Sequence, residues 1–206
     1  MTLEEFSDAL RGKNDNEELE EFTREVMLHG TPFVFFGRDA EYYKFKLRIC
    51  KHLGVHHTEI FLVGSGKLGF SPFKNTDFSL DSDIDLAIVS PNLWERVFSL
   101  GMDVEYARRS THITFHNKQA EIYKRYLRYM AIGWARPDLM PRKLKMEEFK
   151  DDWFNFFKSI SHDNSEVGNY KVNAGVFRGQ DYLEKYSFDS MRQIQRNLLL
   201  PERARQ

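Results

Sequence analysis

Apolar residues recur three and four positions apart among charged ones over residues 3–10 and 17–29, the latter through Leu19, Phe22, Val26 and Met27. That spacing predicts two amphipathic helices, the second closed by Gly30, Thr31 and Pro32. The pattern returns over 39–53, where Tyr42, Phe45, Leu47, Ile49 and Leu53 sit in a basic surface and Gly54 supplies a helix stop. It changes at Glu59–Ser65, EIFLVGS, a short apolar run that reads as a buried strand, and again at Ile84–Val89, a second strand. Between them GKLGFSPFKNTDFSLDS is rich in turn formers and reads as a short helix followed by a loop.

Beyond Pro91, NLWERVFSLG has helical spacing that Gly101 is expected to end, and residues 117–132 and 146–160 are also helical. The aromatic stripe Trp153, Phe154, Phe156 and Phe157 reads as core. Gly133, Pro137 and Pro141 break the chain around GWARPDLMPRK, YKVNAGVF (170–177) alternates like a strand, and 182–200 completes the pattern as a terminal helix. The chain shows no internal repeat.

Composition narrows the function classes. Lys and Arg total 30 against 31 Asp and Glu, so a nucleic-acid partner would have to be met by a local basic patch. Cys50 is the only cysteine, which excludes an internal disulfide and a cysteine-cluster zinc site and suits a reducing compartment. The start, MTLEEFSDALRGKNDNEELEEF, lacks the basic and apolar run of a secretory signal, and no stretch approaches the roughly 20 apolar residues of a membrane span. A soluble, cytoplasmic protein, not embedded in a membrane, is expected.

The chemistry concentrates where the first strand runs into Gly64-Ser65 and the second opens with Asp83-Ile84-Asp85. Alternate strand residues share a face, so the two aspartates project together while Ile84 and Leu86 point into the core. Paired carboxylates repel unless a cation lies between them, and oxygen ligands of this kind suit Mg²⁺ or Mn²⁺ with substrate phosphates completing the shell. Gly64 lets a phosphate approach the backbone, Ser65 adds a hydroxyl and Lys67 a positive charge. An isolated Asp-x-Asp is usually a solvated turn; here it opens a strongly apolar strand downstream of Gly-Ser. The rival P-loop pattern fails at both ends, because aligning Gly66-Lys67 puts Phe61 at the first glycine and Leu68 at the hydroxyl position.

FLVGSGKLGF followed by SDIDLAIV resembles the DNA polymerase β-like nucleotidyltransferase superfamily, over about residues 44–98. The resemblance implies an α+β fold: a small mixed β-sheet of that type, with helices packed against it and extra N- and C-terminal helices. The whole chain 1–206 would be one nucleotidyltransferase-like domain, with a core of about 40–100 plus the strand near 170–177 and a helical insert of about 117–160. It further implies metal at Asp83 and Asp85 and a nucleoside triphosphate, such as ATP, at Gly64 and Ser65, with Lys67 beside them. A hydroxyl acceptor on a nucleotide, nucleic-acid end, protein or small molecule would attack the α-phosphate and release pyrophosphate. Small stand-alone members in bacterial defence and toxin-antitoxin loci suggest a nucleotide signal or oligomer as product and a partner protein encoded nearby.

Two departures bear on this. Residues 66–82 make a longer spacer than is usual there, so KNTDFSLDS reads as an inserted loop. The third carboxylate of active members is replaced, on YKVNAGVF, by Asn173, with Glu105 of DVEYA a substitute if that segment is a strand. A degenerate nucleotide- or partner-binding module, antitoxin-like, is the alternative. Several other groups have plainer readings. His52, His56 and His57 read as surface histidines and Lys74 as a solvated lysine. Arg136, Asp138, Arg142 and Lys143 form either a connection or a contact to ligand, and Arg178, Tyr182 and Tyr186 lie where they would border a nucleotide.

Overall fold

The computed structural model describes residues 1–200. It is α+β: helices α1 (Leu3–Arg11), α2 (Asn16–Thr23), α3 (Asp39–Leu53), α4 (Ser65–Leu68), α5 (Pro91–Arg109), α6 (Lys118–Ala131), α7 (Lys145–Ser159) and α8 (Gln180–Leu199) surround strands β1 (Ile60–Val63), β4 (Ile84–Val89), β5 (Trp134–Ala135) and β6 (Val172–Phe177), with a hairpin β2 (Phe70–Ser71) and β3 (Thr76–Asp77) apart. The main sheet has the order β1-β4-β6-β5; β4 pairs antiparallel with β1 and parallel with β6, and β5 runs antiparallel to β6.

β4 is an interior strand because its sequence can be covered on both faces. Ile84, Leu86 and Ile88 join Ile60, Leu62, Val172 and Val176 in a core closed by Ile49 of α3, Val97 and Val104 of α5, Tyr126 of α6 and Trp153 of α7. On the other face Ala87, Val89 and Phe177 pack under Leu183 of α8, leaving the Asp85 end uncovered. A further cluster joins Phe6 and Leu10 of α1, Leu19 and Phe22 of α2 and Phe70 of β2 to Met191 and Ile194 of α8. Local signals frame these elements: Thr2 and Glu5 form a reciprocal capping box at α1, and Gly54 ends α3 in the left-handed conformation.

The structure differs from several expectations. α5 does not stop at Gly101 but continues to Arg109. The missing side chain there admits the Tyr126 hydroxyl, which would lie 2.6 Å from a β-carbon. Residues 103–107, with Glu105, are therefore helix and not strand. The spacer holds the β2–β3 hairpin besides its short helix, and two-residue β5 was not foreseen. The second helix passes from α2 into a π-helical turn, Arg24–Leu28.

Candidate functional site

Register brings the predicted residues together. Val63 pairs with Asp85, so the chain leaves β1 beside that carboxylate and turns at Gly64. Gly64 has φ 67° and ψ −149°, a conformation that side chains disfavour, and a β-carbon on it would stand 3.5 Å from Asp85 Oδ2. Ser65 then opens α4. The Gly-Ser turn and Asp85 are thus one locus on the face of the sheet that carries α8.

β6 completes that locus from the other side. Its parallel register sets Asn173 opposite Asp85, and the Asn173 amide donates to Asp83 Oδ2 at 2.9 Å. Lys171 Nζ lies 3.5 Å from the same oxygen. Enclosure by protein raises the Asp85 pKa above the ordinary carboxylate value, and the neighbouring Asp83 charge raises it further; Asn173, Lys171 and Lys74 pull it back. Lys74 thus acts electrostatically on Asp85 although its side chain is exposed.

From Asp85 a cleft of about 550 Å³ runs along the sheet face toward α8. Asp85, Ala87, Asn173 and Gly175 form its floor, with Tyr186 and Ser187 on one wall and Trp134 and Arg136 on another. Gly175 keeps the floor low: a β-carbon there would meet Trp134 Nε1 at 2.4 Å. Arg136 is fixed by Asp138, at 2.8 Å, and lies over the rings of Tyr129 and Trp134. Its volume falls within the range of small-molecule clefts. Of the residues named beside the nucleotide, Tyr186 lines this cleft, whereas Arg178 lies over Trp94 and Tyr182. Trp134, Gly175 and Ser187 carry no motif, and only the pairing of β5 with β6 and the packing of α8 bring them here.

Lys67 has a different occupation from the phosphate contact expected of it. It is buried, and its ammonium donates to the carbonyls of His29, through a very short bond, and of Gly30 at 3.1 Å. It holds the end of the π-helical turn against α4, and burial lowers its pKa. Glu105 is bound by Arg108, Arg109 and the Tyr123 hydroxyl, which together pull its pKa down to about 2. It belongs to the α5–α6 contact. His52 stacks on Phe156 and meets Asp152 at 3.1 Å, and His56 bonds Thr58, as surface roles require.

Among the described residues no three His, Cys, Asp or Glu side chains converge as a metal cage. The donor set at the site is two carboxylates with an amide beside them, which fits a hard divalent ion that takes the rest of its shell from water and phosphate. Also among the described residues, no helix is long and apolar enough to cross a membrane. The chain matches no protein-family model, no curated protein and no solved structure.

Proposed function

We propose that this chain is a metal-dependent nucleotidyltransferase of the polymerase β type, transferring a nucleoside monophosphate to a hydroxyl acceptor. The observation that carries this is the seating of Asp85 against Gly64 at the mouth of a cleft of nucleoside size, with Asp83 joined to it through Asn173. Asp83 and Asp85 would hold Mg²⁺ or Mn²⁺, which when bound offsets phosphate charge and makes the acceptor hydroxyl easier to deprotonate. Gly64 leaves the backbone open to the triphosphate, Ser65 offers a hydroxyl, and the cleft between Tyr186 and Trp134 orients the nucleoside and excludes water. The acceptor hydroxyl gives its proton to solvent as its oxygen forms a bond to the α-phosphorus, and the bond to the β-phosphate oxygen breaks, so pyrophosphate leaves.

A second reading, a binding module without turnover, is favoured by one observation: Asn173 holds the register position opposite Asp85, and an amide cannot take a proton. Labelled NTPs and dNTPs offered singly with Mg²⁺ or Mn²⁺ separate the two. Enzyme predicts pyrophosphate release that falls about a hundredfold or more in Asp83→Ala and Asp85→Ala. Metal-dependent binding without release supports the module, and binding that ignores both substitutions refutes the site.

A further inference from the structure

One oxygen of Asp83 is already engaged by two side chains at the entry to β6. Oδ2 accepts from the Asn173 amide at 2.9 Å and stands 3.5 Å from the Lys171 ammonium. Lys171 is not a free tether: its carbonyl accepts from the Ile84 N–H at 2.8 Å, which ties its backbone to the residue between the two aspartates. Two divalent ions in one site sit roughly 3.5–4 Å apart and bring four positive charges. Here two carboxylates would face those charges with an ammonium already among them, and repulsion between cations grows as their distance shrinks.

We propose that the site takes one divalent cation per chain, held by Asp83 and Asp85, and that Lys171 supplies on Asp83 the positive charge a second cation would bring. The inference rests on the reading of the two aspartates as cation ligands and specifies the stoichiometry of that site. Lys171 is then a charge-balancing residue. It is present before any nucleotide arrives and weakens cation binding in the free chain, while Asn173, uncharged, holds Asp83 without adding to the negative charge.

Mn²⁺ titrated into the whole chain and followed by electron paramagnetic resonance tests this. Wild type is expected to take up one Mn²⁺ per chain. Lys171→Gln, at an exposed position with no core packing to lose, should bind it about tenfold more tightly. Lys171→Gln combined with Asn173→Asp should admit a second ion. A structural role alone would move the melting temperature and leave stoichiometry unchanged. Two ions in wild type, or an affinity indifferent to Lys171→Gln, overturns the proposal while leaving the aspartates as ligands. No uptake in wild type, with inorganic pyrophosphate present, overturns the metal reading itself and the stoichiometry with it.

Discussion

Replacing Gly64 by alanine tests whether the turn between β1 and α4 is built for backbone access. At φ 67° and ψ −149° the residue occupies a region almost confined to glycine, so a side chain there costs about 3 kcal/mol, the upper end for strained backbone. No clash adds to this, because the new methyl would lie 3.5 Å from Asp85 Oδ2, ordinary van der Waals contact. A chain of this length loses roughly 2–4 °C of melting temperature per kcal/mol, so the fall should be about 6–12 °C. Gly54→Ala is the control: its φ of 70° and ψ of 30° are left-handed helical and nothing lies within 4 Å of its β-carbon. That cost is about 1 kcal/mol and the fall about 2–4 °C. Thermal unfolding by circular dichroism reads both, and nucleotide binding at a temperature where both variants are folded reads the functional half. A loss at Gly64 no larger than at Gly54 would refute the strain argument. Unchanged nucleotide binding in Gly64→Ala would refute the role of the turn.

Asp85→Asn should raise the melting temperature at neutral pH. Burial and Asp83 lift the folded-state pKa of Asp85 above its unfolded value, so its contribution to stability is present at low pH and lost as pH rises through the carboxylate range. The gain over wild type should therefore vanish below about pH 4 and shrink when Mg²⁺ is added; a gain independent of pH contradicts the shift. Lys67→Met should destabilise by about 1–3 kcal/mol, because the His29 and Gly30 carbonyls lose their donor. Nucleotide affinity measured on the folded variant should stay within about twofold of wild type; a larger loss would return Lys67 to the phosphate.

What the sequence made legible follows from how local each signal is. α3 ends where Gly54 predicts, and Ile84–Val89 forms the strand that its apolar run, interrupted only by Asp85, requires, because caps and periodicity act over a few residues. Asp83, Asp85 and Gly64 are singled out by order along the chain, and the antiparallel register of β1 with β4 sets Gly64 beside Asp85. The position of Lys67 after Gly-Ser says nothing of His29 and Gly30, far earlier in the chain, whose carbonyls it meets. Gly101 misled because a glycine inside a helix looks like a stop until Tyr126 is seen filling its space. Trp134 and Ala135 are too few for any period to show, so nothing in the sequence marks the cleft wall that Trp134 carries.

The parallel pairing of β4 with β6 also sets a timetable for synthesis. β1 precedes β4 closely and can pair with it as soon as both leave the ribosome, but residues 90–171 must be translated before β6 begins. At roughly 5–20 residues per second that interval is on the order of ten seconds. Throughout it one edge of an apolar strand presents unpaired N–H and C=O groups, an invitation to strands of other nascent chains. Charged side chains blunt such an edge, and Asp83 and Asp85 stand at the opening of β4.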